Sequence, residues 1–191
     1  MIFNLPNCLT LLRIACIPVI AALMMTPEAW AAWTALGIYT VACISDWLDG
    51  YLARRMNITS AFGRFLDPIA DKLLTAILLL MFAGLGRLEG LWIIPAAFII
   101  FREVFVAGLR EFLGPHKIII HVSTLSKRKT MSQMIAMGFL VVGDFGNPVL
   151  PNTVFIGHIL ISISAVLTII TGWDYMRQGM KAISKIEKNN K

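Results

Sequence analysis

The sequence predicts an all-α integral membrane protein: six transmembrane helices with a short N-terminal interfacial segment. Three observations lead there. Hydrophobic residues make up 58% of the chain and mean hydropathy is +0.76, whereas about half is usual for a soluble domain. The apolar residues fall into long runs separated by short breaks rich in Gly, Pro and charge. At about 20 residues per span, 191 residues hold six spans and leave no room for a separate soluble domain. A single membrane domain over 1–191 is therefore expected, with spans at about 5–25, 33–54, 62–85, 91–112, 131–142 and 153–175 and a tail over 176–191.

The first span follows Asn4 and Asn7, both candidate helix caps, and Pro6 suits a first turn. It lacks a basic leader, its apolar run is long, and Arg13 lies inside it, so a retained span is expected rather than a cleaved signal. Asn4, Thr10 and Arg13 fall near one helical face, where they either cap and snorkel or line a polar cavity. After a break around Pro27, the second span loses its apolar character at Ser45. The third carries Asp67 and Asp71 early, with Pro68 expected within the first turns, where amides lack intrahelical partners. Gly84, Gly86 and Gly90 mark a turn before the fourth span. The basic connection GPHKIIIHVSTLSKRKT leads to the fifth span, Gly143–Asn152 breaks it, and the sixth runs into the charged tail.

The net charge of +6 arises from 17 Lys and Arg against 11 Asp and Glu. With six spans and both termini on one side, that side collects Arg54, Arg55, Arg64, Arg110, Lys127 and the basic tail. The opposite loops hold Arg87 with Glu28, Glu89 and Asp144. The positive-inside rule makes the first side cytoplasmic. Such a distribution points to a lipid bilayer, and no nucleic-acid partner is expected. Cys8, Cys16 and Cys43 are scattered in apolar surroundings, as buried thiols are. The five tryptophans suit interfacial anchors. His116 and His121, in the basic connection, are assigned no role.

One stretch stands out: SDWLDGYLARRMNITSAFGRFLDPIAD, residues 45–71. Asp46 and Asp49 are i, i+3 on the second helix, and Asp67 and Asp71 are i, i+4 on the third. Two antiparallel helices joined by a short loop would bring the four carboxylates to one cavity. Intramembrane acids pair, line a water path or bind cations. Only oxygen ligands are offered, so Mg²⁺ or Mn²⁺ is the expected metal. Gly50, Ala53 and Gly63 remove bulk beside the acids, which leaves room for a ligand such as a nucleotide. Singly, each acid has an ordinary explanation at a span end or helix N-terminus; together with three small residues they do not.

The spacing D-x2-D-G-x2-A-R-x8-G-x3-D-x3-D resembles the signature of the CDP-alcohol phosphotransferase family at every fixed position from Asp46 to Asp71. The opening NLPNCLTLLR and the segments REVFVAGLREFLG and SKRKTMSQM extend the likeness, more weakly, to bacterial members whose acceptor is glycerol 3-phosphate. The resemblance implies six membrane helices, usually a homodimer, and a site open to the cytoplasm in the bacterial inner membrane. It implies a transferase that moves a phosphatidyl group from CDP-diacylglycerol to an alcohol and releases CMP. It implies that Asp46, Asp49, Asp67 and Asp71 hold two divalent cations, with Asp71 also the base for the acceptor hydroxyl. Gly50, Ala53 and Gly63 would accommodate the nucleotide and Arg54 its phosphates.

Glycerol 3-phosphate as acceptor requires cationic groups of its own. Arg102, Arg110 and Lys127 are the candidates, the two arginines being eight residues apart and so near one helix face. Each has an alternative: Arg102 pairs with Glu103, and Arg110 and Lys127 serve as ordinary positive-inside residues. Inositol phosphate, serine or a phospholipid are alternative acceptors. From another class, a divalent-cation transporter or channel would also use intramembrane acids, although an ion path has no use for the room beside them.

Overall fold

The computed structural model describes residues 5–56, 61–115 and 124–189. The side chains of Asp49, Ala53 and Arg54, the surroundings of Gly50, and all of Asn4, His116 and His121 lie outside that description. Among the described residues every regular element is helical: α1 (Leu5–Met24), α2 (Ala29–Met56), α3 (Ala61–Gly84), α4 (Ile93–Leu113), α5 (Thr124–Val142) and α6 (Thr153–Asn189). Short 3-10 helices, Gly90–Trp92 and Gly143–Gly146, precede α4 and follow α5.

Three of these are long and apolar enough to cross a membrane, over Asn7–Met24, Gly90–Leu113 and Thr153–Ser184. The expectation of six such spans is thus met by three among the described residues. The reason is local. In α2 and α3 the halves nearest the acidic signature carry Asp46, Asp49, Arg54 and Arg55, and Arg64, Asp67, Asp71 and Lys72. In α5 the first turns read TLSKRKT. Side chains facing outward on the apolar stretches, among them Val41, Leu80, Phe101 and Val166, are large and exposed, as befits lipid contact.

Several helices extend beyond the apolar stretches. α2 begins at Ala29, two residues after Pro27, because the Ala32 amide already reaches the Glu28 carbonyl at 3.1 Å. α5 begins at Thr124 and absorbs the polar turns, which bury Ser126, Lys129 and Gln133 at i, i+3, i+7 spacing. α6 continues past Tyr175 to Asn189, so the charged tail is helical over 176–189. Pro68 is the eighth residue of α3, beyond the unpaired first turn. Its missing N–H leaves the Arg64 carbonyl without its i+4 donor.

The chain divides into two compact units: Met1–Glu89 with Ala136–His158, and Gly90–Ile135 with Ile159–Lys191. In the first, α1 packs on both α2 and α3. Ile17, Ile20 and Met24 of α1 are buried, as are Ala31, Ala32, Ala35, Tyr39 and Ala42 along α2. The small α2 residues allow close helix approach where no hydrophobic effect between lipid-immersed helices is available to drive it. Leu74, Leu78, Leu79 and Phe82 supply the α3 share of this core. Away from the acids, Arg87 ties the unit together. Its Nη1 donates to the Leu140 carbonyl at 2.7 Å and to that of Val141, satisfying orphan acceptors at the end of α5. The Arg87 carbonyl in turn lies 2.7 Å from His158 Nε2. Burial pushes the Arg87 pKa down and nearby Asp144 opposes this.

In the second unit, α4 and α6 meet through glycines. A Cβ on Gly172 would lie 3.0 Å from Arg102 Cγ, and one on Gly179 would lie 2.5 Å from Leu109 Cδ2. These two positions are seven apart, close to two turns, so both face α4. α5 joins α6 through Ser164 Oγ donating to the Lys129 carbonyl at 3.3 Å and Ser132 Oγ donating to that of Leu160 at 3.3 Å.

Candidate active site

In the first unit the inward face of α1 changes character along its length. Asn7, Thr10 and Arg13 are buried in its first half, and Ile17, Ile20 and Met24 in its second. The polar half meets the acids. Thr10 Oγ1 donates to Asp67 Oδ1 at 2.7 Å. Arg13, only 1% exposed, forms an ion pair with Asp46, which is 37% exposed. A guanidinium does not release its proton, so its burial demands a permanent anion. Arg13 is buried against Asp46 rather than exposed. Thr10 and Arg13 both face the acidic side of the unit.

On α3, Gly63 is buried while Asp67 and Asp71 are exposed, with the fully buried Ala70 between them. On α2, Ser45 returns its hydroxyl to the Val41 carbonyl at 2.8 Å and leaves Asp46 as the neighbouring acid. The structure thus links Asp46 and Asp67 to one helix, α1. Among the described residues, no three His, Cys, Asp or Glu side chains converge closely enough to cage an ion. Asp49 falls outside that set. The donor chemistry nonetheless fits a hard divalent cation: carboxylate oxygens, those of Asp46 and Asp67 already oriented by partners.

The second unit holds the cationic candidates. Arg102 Nη1 donates to Glu103 Oε1 at 3.2 Å, so the neighbour pairing foreseen for it is present. Its Cζ also lies 5.4 Å from the centroid of the Tyr175 ring. Arg110 sits over the same ring at 5.3 Å and donates from Nη2 to the Tyr175 hydroxyl at 2.8 Å. Two guanidiniums eight residues apart on α4 therefore share one buried tyrosine of α6. Lys127 is exposed. Lys129, two residues on, is 3% exposed and pairs with Glu103.

Sequence reasoning passed over Lys129 and Tyr175. Lys129 was readable in principle, since Ser126 and Gln133 share its helical face; Tyr175 closes an apolar span and carried no signal of its own. Arg102, Arg110 and Lys129 together bring three positive charges against the single negative charge of Glu103. The surplus suits an anionic ligand.

A helical membrane protein whose acids on adjoining helices are engaged from a third belongs among enzymes or carriers that handle cations or phosphates at a membrane face. Comparison narrows this. Residues 3–170 match the CDP-alcohol phosphatidyltransferase family. The chain is 42% identical over 174 residues to a CDP-diacylglycerol–glycerol-3-phosphate 3-phosphatidyltransferase of Rickettsia bellii, covering 91% of this chain and 94% of the relative. It is 36% identical to proteins of the same name from Cereibacter sphaeroides, over 93% of this chain and 96% of the relative, and from Shigella flexneri, over 91% and 93%. The chain belongs to the CDP-alcohol phosphatidyltransferase family.

Proposed function

We propose that this protein transfers the phosphatidyl group of CDP-diacylglycerol to glycerol 3-phosphate, making phosphatidylglycerophosphate and CMP. The identity to relatives of that name over nine-tenths of the chain supports the reaction. The single structural observation that carries the site is the engagement of Asp46 and Asp67 by α1.

In this reading Asp46, Asp49, Asp67 and Asp71 hold two divalent cations, Mg²⁺ or Mn²⁺. Such ions, when bound, would supply positive charge to offset the negative charge of the donor diphosphate and the departing CMP. The protein's own groups do the rest. Gly50, Ala53 and Gly63 leave room for the nucleotide, and Arg54 contacts its phosphates. Asp71, exposed beside Asp67, accepts the proton of the attacking hydroxyl as the new O–P bond forms and the bond to CMP breaks. Arg110 and Arg102, held on Tyr175, and Lys127 bind the acceptor phosphate. Asn4, with Thr10 and Arg13, is proposed to line the polar cavity.

We place the protein in the cytoplasmic membrane as one six-helix domain, with α2, α3 and α5 spanning despite their polar halves. Both termini and the acids face the cytoplasm, on the strength of the positive-inside rule. A homodimer is the expected assembly. Purified protein in lipid or detergent should release CMP from CDP-diacylglycerol only when glycerol 3-phosphate and Mg²⁺ are present, and Asp71→Asn should abolish release. CMP release with inositol phosphate or serine in place of glycerol 3-phosphate would assign a sister activity, and no CMP with any acceptor would refute the reaction.

A further inference from the structure

The ion pair between α1 and α2 has a consequence for cation binding. Asp46 is both the first acid of the signature and the counter-ion of a guanidinium buried to 1% exposure. Arg13 is buried and its guanidinium carries a permanent positive charge. Whatever cation Asp46 holds therefore shares that carboxylate with a fixed positive charge. Neighbouring like charges disfavour one another, and in a partly desolvated site the effect is larger than in water.

We infer that Arg13 is a resident counter-cation that keeps the affinity of the aspartate site for divalent metal low, so that metal is held firmly only together with the negative diphosphate of the nucleotide. The inference rests on the metal reading of the four aspartates given above. Arg13 is in this sense a positioning residue: it acts through Asp46. Thr10 does the complementary task for Asp67, since a neutral hydroxyl orients the carboxylate without competing for its charge. One polar face of α1 thus treats the two acids differently, one charge-balanced and one free to give its full charge.

The test is Mn²⁺ binding, followed by electron paramagnetic resonance on the full-length protein in detergent, with and without CDP. Arg13→Gln and Arg13→Met, which remove the charge, should bind Mn²⁺ about tenfold or more tightly than wild type without nucleotide. The gain in affinity on adding CDP should shrink correspondingly. Arg13→Lys keeps a positive charge and should behave like wild type in both measurements. Equal or weaker Mn²⁺ binding by the neutral variants would overturn the inference while leaving the metal site in place. So would failure of both neutral variants to fold when Arg13→Lys folds, which would make the pair purely structural. If wild type takes up no Mn²⁺ even with CDP, the metal reading itself falls and this inference with it.

Discussion

Thr10 and Asp67, 57 positions apart, are joined by a hydrogen bond of 2.7 Å from the α1 hydroxyl to the α3 carboxylate. Asp67 is exposed, so loss of the bond costs little stability: water replaces the donor. What is lost is orientation. Thr10→Val, which keeps the shape, should lower CMP release about fivefold, the equivalent of about 1 kcal/mol. Its melting temperature should stay near that of wild type. Thr10→Ser should restore the rate. An unchanged rate in Thr10→Val would remove Thr10 from the site.

That contact marks the limit of what the sequence made legible. The spacing of Asp46, Asp49, Asp67 and Asp71 is a short-range pattern on two consecutive helices, so it could be read directly. The polar face of α1 could be seen as a face, but its partners could not, because helix pairing is a tertiary property that periodicity does not encode. Helix ends depend on tertiary packing in the same way. α6 runs on through 176–189, where Gly179 approaches Leu109 of α4 and Met176, Met180 and Ile183 line a groove with Val104 and Phe105. No local stop or start signal announces that packing. In sequence Lys129 is one of several lysines and arginines in a basic connection, and only the fold sets it beside Glu103.

The two arginines on Tyr175 lend themselves to a kinetic distinction. Arg110 donates to the tyrosine hydroxyl and lies over its ring. If the guanidinium also meets the acceptor phosphate, Arg110→Ala should raise the KM for glycerol 3-phosphate about ten- to a hundredfold and that for CDP-diacylglycerol much less. Tyr175→Phe retains the ring under both guanidiniums and removes only the hydroxyl. Its effect on the acceptor KM should be a fraction of that of Arg110→Ala. Equal rises for donor and acceptor in Arg110→Ala would reduce the arginine to a structural role.

Arg87 makes the opposite case, a charged residue placed for stability. Its guanidinium caps the end of α5 through the Leu140 and Val141 carbonyls, and a Cβ on Gly143 would stand 3.0 Å from its Cζ. Gly143 has φ +60°, a conformation that favours glycine and brings the backbone close to the arginine. Arg87→Ala strands two carbonyls and should destabilise the protein by about 2–3 kcal/mol. The expected signature is a lower melting temperature in detergent with near-normal turnover in the folded fraction. Arg87→Lys, a single ammonium in place of a planar fork, should recover only part of the loss.

Glycine substitutions separate packing from the site. A Cβ at Gly172 would press on Arg102 Cγ at 3.0 Å, which is tighter than ordinary contact, whereas one at Gly37 meets nothing within 4 Å. Both lie inside helices, where replacing Gly by Ala gains about 0.5–1 kcal/mol of intrinsic propensity. Gly37→Ala should therefore be neutral or slightly stabilising, with unchanged kinetics. Gly172→Ala must displace the Arg102 stem, whose guanidinium bridges Glu103 and the Tyr175 ring. If that stem bears on acceptor binding, Gly172→Ala should raise the KM for glycerol 3-phosphate severalfold while the thermal midpoint moves little, because the gain in propensity offsets the crowding. A fall in the midpoint with unchanged KM would mean that α4 and α6 are pushed apart and that Arg102 serves the helix contact alone.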